Sequence, residues 1–76
     1  MKLYADVRVK SLTENMEREG IKAGMIGTLL EDQTDIPWVY FHGYARADAN
    51  DPEYTINNKF KVKNCCICPI RTLEEI

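Results

Sequence analysis

Hydrophobic and polar positions alternate at the start of the chain. Apolar side chains occupy every second position, at Leu3, Ala5, Val7 and Val9. A period of two residues is typical of a strand with one buried face, so we predict a first strand at about residues 3–10. Residues 11–20, with Thr13 as a candidate cap, are too few for a stable isolated helix and predict a single helical turn or a structured loop.

Two glycines three residues apart predict a tight turn into a second strand. Gly24 and Gly27 can adopt positive φ or let another backbone approach closely. The second strand is predicted at about residues 26–31. Strict alternation would place Ile26, Thr28 and Leu30 on one face and Leu29 on the other.

The strongest strand signal follows Pro37. Residues 38–43 begin with a run of aromatic and β-branched side chains and predict the third strand. If Val39 and Phe41 face inward, the chain has more aromatic surface than a thin core can absorb, at Trp38, Tyr40, Tyr44 and Tyr54. The polar segment after this strand, at about residues 44–56, is long for so small a domain, and such loops are often binding loops.

The rest of the chain predicts short strands and a closing turn. Strand pieces are expected at residues 54–56, 59–63 and 65–70, and a turn with a last apolar anchor at residues 73–76. Pro69 indicates that its strand lies at a sheet edge or near a strand end.

Five or six short strands with at most one short helical turn predict an all-β fold. Residues 1–76 form one domain at most, and closing the sheet into a small barrel would remove unpaired strand edges.

One segment of the chain resembles a known family. The pattern Lys22-x-Gly24-x-x-Gly27-Thr28-Leu29 is similar to the glycine turn of KOW-type and other bacterial SH3-like barrels. In those barrels a strand like residues 5–10 precedes the turn, an aromatic strand like residues 39–41 follows, and an acidic segment like residues 73–76 closes the barrel. The resemblance implies a small SH3-like β-barrel. Such barrels serve ribosomal, transcriptional, redox-enzyme and adaptor roles, so the fold selects none of these.

Charge and cysteine usage narrow the partners and the compartment. Ten Lys and Arg residues stand against 12 Asp and Glu residues, which removes the broad electrostatic argument for nucleic-acid binding. Charged residues within the first ten positions leave no room for a signal-peptide apolar region, and the three cysteines are not spread as in a secreted disulfide scaffold. We therefore expect a cytoplasmic protein with no membrane partner.

The three cysteines are the candidates for metal or redox chemistry. They form the sequence Cys65-Cys66-Ile67-Cys68, and thiolates are soft ligands for zinc and iron. A zinc site usually needs a second ligand pair, which is missing, and a strand would turn Cys65 away from Cys66 and Cys68. We predict structural thiols and no cofactor, with a metal site and redox chemistry as the alternatives.

No set of nucleophile, base and orienting group can be assembled from the sequence, so we predict a protein that is not an enzyme. The leading hypothesis is a protein-interaction module, such as an accessory subunit, an adaptor or an immunity-type protein, acting as a monomer or homodimer. Its predicted contact residues lie on the aromatic strand and the polar loop: Trp38, Tyr40, His42, Tyr44, Asp48, Asp51 and Tyr54.

Nucleic acid is the alternative partner. Basic side chains on two predicted strands could follow a phosphate backbone: Arg8, Lys10, Lys59, Lys61 and Lys63. Alternating lysines are also the usual solvated face of an edge strand, where they discourage aggregation.

Overall fold

The computed structural model describes residues 1–42, 44, 55–56, 60–61 and 64–76. The elements in chain order are β1 (Asp6–Val9), α1 (Glu14–Arg18), β2 (Ile26–Leu29), β3 (Trp38–Tyr40), β4 (Thr55–Ile56), β5 (Phe60–Lys61), β6 (Cys65–Ile67), a 3₁₀ helix (Ile70–Thr72) and β7 (Leu73–Glu75).

Five of the strands form one antiparallel sheet in the order β6-β3-β2-β1-β7. Strand β1 pairs with β2 on one side and with β7 on the other, so Val7 lies opposite both Gly27 and Glu75. Strands β4 and β5 pair with each other in a separate two-stranded sheet. The predicted small all-β domain with very little helix is confirmed.

The core lies on one face of the five-stranded sheet. Its buried members are Val7, Val9, Met16, Ile21, Leu29, Val39, Phe41, Cys66, Cys68 and Leu73. Val39 and Phe41 face inward, since both are fully buried. The short helix α1 contributes Met16, and its first turn is capped by Thr13, whose Oγ1 accepts a hydrogen bond from the Met16 N–H at 3.1 Å.

The predicted alternation of the second strand is confirmed within β2, where Ile26 and Thr28 share one face and Gly27 and Leu29 the other. Leu29 and Gly27 face the core, while Ile26 is 54% exposed. On the buried face, an added Cβ at Gly27 would stand 2.6 Å from the Tyr40 carbonyl oxygen. Strand β3 approaches β2 so closely there that only glycine fits.

The ends of the predicted strands also differ from those observed. Strand β1 begins at Asp6 because a turn precedes it, with Tyr4 at φ 65° and the Ala5 N–H donating to Lys2 O. The predicted closing turn at residues 73–76 contains strand β7, which pairs with β1. Strand β6 is an edge strand that ends before Pro69, as predicted.

The predicted glycine turn is present. Gly24 has φ 92°, and its N–H donates to Val9 O at 2.8 Å, which connects the segment before β2 to the end of β1. Among the residues that the structure describes, no helix has the length and apolar character needed to cross a membrane.

Candidate functional site

The predicted contact residues of the aromatic strand differ in exposure. Trp38 and Tyr40 lie on β3 and are half-buried, and their partners across the strand pair are Ile67 and Cys65. His42 follows the strand and is exposed. The aromatic side chains of β3 therefore contribute part of their surface to the exterior.

Tyr44 is engaged within the chain. Its hydroxyl donates a hydrogen bond of 2.6 Å to Glu19 O, and its ring meets the Phe41 ring edge-on with centroids 5.9 Å apart. Tyr44 also packs against the buried core. This side chain connects the segment after β3 to the end of α1, which is a structural use of a residue predicted to contact a partner.

Several predicted site residues lie outside the described residues: Asp48, Asp51, Tyr54, Lys59 and Lys63. Lys61 belongs to strand β5.

The two basic residues predicted on β1 have different surroundings. Arg8 donates to Glu74 at 3.0 Å across the β1–β7 pair, so its charge is locally balanced. Lys10 is exposed just after the strand. Because a phosphate would have to compete with Glu74 for the Arg8 guanidinium, this pair counts against a phosphate-binding role for Arg8.

All three cysteines are buried and free of disulfides. Cys66 and Cys68 belong to the core cluster, as expected from their shared strand face. A hydrogen bond with the Cys66 thiol, together with burial, raises the pKa of the Cys68 thiol above its ordinary value. Since the thiolate is both the nucleophile and the metal ligand, a buried neutral thiol favours the structural interpretation.

A groove that the sequence analysis missed opens between the loop before β3 and the 3₁₀ helix. It has a volume of about 520 Å³. Its lining residues are Asp35, Ile36, Pro69, Ile70 and Arg71. Ile36 is 56% exposed there.

Backbone hydrogen bonds hold the two walls of this groove together. The Cys68 N–H donates to Pro37 O at 3.0 Å, and the Ile70 N–H donates to Asp35 O at 2.9 Å. These bonds extend the β3–β6 pairing past the ends of both strands. The Thr72 hydroxyl donates to Pro69 O at 2.6 Å and steadies the turn that carries Arg71. The groove is therefore built on paired backbone rather than on a free loop.

A smaller cleft of about 210 Å³ lies at the neighbouring part of the same strand pair. Its lining residues are Asn15, Glu19, Trp38, Cys66 and Ile67. Trp38 and Ile67 are directly opposite each other. Ile36 lies two residues before Trp38 in the chain, and Pro69 lies two residues after Ile67. We call these four apolar residues, Ile36, Trp38, Ile67 and Pro69, the open end of the sheet.

Two charged groups border the groove without being neutralised. Within the described part of the chain, no hydrogen bond or ion pair involves the side chain of Asp35 or Arg71, and both residues are exposed. The other described arginines, Arg8 and Arg18, pair with Glu74 and Glu14. The groove thus combines the exposed apolar surface of Ile36 with one unpaired charge of each sign, on Asp35 and Arg71.

One sequence signal could have indicated this groove. Ile36 is a single large apolar residue between a polar segment and Pro37, and Pro69-Ile70 follows a strand in the same way. The sequence does not show that the two segments pair. Comparison of the chain with protein-family models, curated proteins and solved structures finds no match.

Proposed function

We propose that this chain is a non-enzymatic protein-interaction module, of the SH3-like kind that the glycine turn resembles, and that it acts in the cytoplasm. The antiparallel five-stranded sheet with little helix supports the proposed kind of domain. The three buried cysteines, none of which forms a disulfide, support a reducing compartment.

The observation that carries the proposal is the open end. Ile36 exposes more than half of its surface, and Trp38, Ile67 and Pro69 are only half-buried beside it. Contiguous apolar residues bordered by polar ones are typical of protein-binding surfaces, in which an aromatic side chain often provides the anchor. The backbone pairing beneath them presents the surface without requiring rearrangement.

A capture experiment tests this function with a closely matched control. The tagged wild-type chain, Ile36→Asp and Ile26→Asp would each be used to capture binding proteins from a native lysate, with and without nuclease. Ile26 is a suitable control because it is 54% exposed, against 56% for Ile36, and lies on the outer face of β2 away from the groove.

We expect one protein to be retained in both nuclease arms by the wild type and by Ile26→Asp, and to be lost with Ile36→Asp. A charge placed in an apolar contact costs binding energy because it must be desolvated. Capture that disappears with nuclease would replace this proposal with the nucleic-acid alternative. Equal capture by both variants would move the contact surface away from the open end.

A further inference from the structure

We propose that the groove between Ile36 and Arg71 binds an extended segment of a partner protein in which one apolar side chain lies between an acidic and a basic residue. This inference rests on the proposed function and names the kind of segment that the interaction module recognises.

The walls of the groove supply the apolar part of the recognition. Ile36 stands on one side and Pro69 with Ile70 on the other, and Ile70 also packs against the core. A volume of about 520 Å³ accommodates a large aliphatic or aromatic side chain with part of its backbone. Burying such a side chain removes apolar surface from water, which stabilises a complex against the cost of ordering the segment.

The charges at the rim supply the polar part. Arg71 presents a guanidinium, whose geometry suits a carboxylate, and Asp35 presents a carboxylate for a lysine or arginine. These two side chains line one groove without an ion pair between them. A segment that carries both charges satisfies both groups, whereas a segment with one charge leaves the other rim group without a partner.

The shape of the groove favours a segment of a protein over a small molecule. Small-molecule sites enclose most of the ligand surface. Here three of the five lining residues, Asp35, Ile36 and Arg71, are exposed, so the groove is a surface channel with an open side. An extended chain fills such a channel and continues beyond it, towards the neighbouring Trp38 and Ile67.

Peptide selection tests the proposal directly. A displayed library of random ten-residue peptides would be selected on the immobilised wild-type chain. Enriched peptides would then be titrated, with a fluorescent label, against the wild type and four variants. The variants are Ile36→Asp, Arg71→Glu, Asp35→Lys and the control Lys22→Glu. Lys22 is exposed and does not line the groove, and its replacement changes the net charge as Arg71→Glu does.

We expect the enriched peptides to share an apolar residue with an acid on one side and a base on the other. Ile36→Asp should weaken binding about tenfold or more, as expected for a central apolar contact. Arg71→Glu and Asp35→Lys should each weaken it about two- to fivefold, in the range of solvent-exposed ion pairs, while Lys22→Glu leaves it unchanged. Reversing the peptide's acid to lysine should restore binding to Arg71→Glu.

The outcomes separate this inference from the function on which it rests. Peptides that need Ile36 but bind both rim variants like the wild type would overturn the charge rule and leave the interaction module standing. Peptides that bind Ile36→Asp as well as the wild type would overturn the groove as the recognition site. If Lys22→Glu weakened peptide binding as strongly as Arg71→Glu, the effect would be a general electrostatic one, and the inference would be overturned.

Discussion

Two isoleucines are exposed almost equally, yet their surroundings differ. Ile26 is 54% exposed and lies opposite Arg8, whose guanidinium is paired with Glu74. We call Arg8, Ile26 and Glu74 the paired face. Ile36 is 56% exposed and borders a groove whose two charged groups have no partner among the described residues. Exposure alone therefore does not identify a binding surface, because single exposed apolar residues are ordinary. The two isoleucines differ in whether the charged groups beside them are paired.

The close contact between β2, which carries Ile26, and β3, which follows Ile36, should be the most sensitive to substitution in its effect on stability. Gly27→Ala places a Cβ 2.6 Å from Tyr40 O and 2.7 Å from Val39 Cγ1, so β2 and β3 must move apart. We expect the free energy of unfolding to fall by about 3 kcal/mol, at the upper end of overpacking effects. Urea denaturation followed by Trp38 fluorescence would measure it.

Gly24→Ala is the matched control for that prediction. Nothing lies within 4 Å of an added Cβ at Gly24, but its φ of 92° is strained for alanine. The expected loss is about 1–2 kcal/mol. If Gly27→Ala were no more destabilising than Gly24→Ala, the result would contradict the idea that the close approach of β2 and β3 connects the paired face to the open end.

Alkaline pH should weaken the core beneath the open end. The pKa of the Cys68 thiol is raised in the folded state above its ordinary value of 9.0 by the Cys66 thiol and by burial. Its contribution to stability is therefore complete below about pH 9 and is lost as the pH rises, because only the unfolded chain releases the proton. We expect about 1.4 kcal/mol of lost stability for each pH unit above 9.

Cys68→Ala should be less stable than the wild type at pH 8. Above pH 9 its free energy of unfolding should fall less steeply with pH, because the variant lacks the Cys68 proton. Free energies of unfolding at pH 8, 9 and 10 would check both statements. Parallel curves for the wild type and the variant would show that the Cys68 thiol does not contribute to the alkaline loss.

The helix that lines the smaller cleft offers a more moderate test. Thr13→Ala removes the side-chain acceptor for the Met16 N–H and should lower the free energy of unfolding by about 1 kcal/mol. Ser11→Ala, at an exposed position outside α1, is the control and should have no measurable effect. Equal effects of the two substitutions in thermal denaturation would contradict the capping role of Thr13.

The smallest expected effect on stability comes from the arginines of the two regions, Arg8 on the paired face and Arg71 at the groove. Arg8→Ala should cost no more than about 0.5 kcal/mol, since the Arg8–Glu74 pair is nearly half exposed and screened by solvent. Arg71→Ala should leave stability unchanged, because no described residue pairs with it. The difference should disappear in 1 M salt. A stabilising role for Arg71 would remove the contrast on which the groove proposal depends.

Local patterns were sufficient for the class of fold and for parts of the core. Alternation predicts Val7 and Val9 on the buried face of their strand, and both are buried. Alternation also holds along β2, but it gives no sign that β3 approaches Gly27 so closely that an added Cβ would stand 2.6 Å from Tyr40 O. Such a contact depends on a second strand and has no local signature.

The candidate site was harder to predict for the same physical reason. Trp38 stands out in the sequence by its size, but the groove needs Ile36 beside Pro69, which are 33 positions apart by number and meet only through the β3–β6 pairing. The aromatic character of Tyr44 and its polar sequence neighbours predict a contact residue. In the structure its hydroxyl donates to the backbone carbonyl of Glu19, which is 25 positions earlier at the end of α1. Long-range pairing supplies both pieces of information.

The pairing of β1 with β7 has a consequence for how the chain reaches its fold. Val7 lies opposite Glu75, and Ile76 donates its N–H to Asp6 O, so one side of the first strand is completed by residues made nearly seventy positions later. Closing so long a loop costs chain entropy before any contact rewards it, which slows folding. During synthesis β1 and β2 can pair early as a local hairpin, but the hydrogen-bonding edge of β1 stays open until β7 has left the ribosome. A nascent chain stalled before residue 73 would therefore expose that edge to other strands.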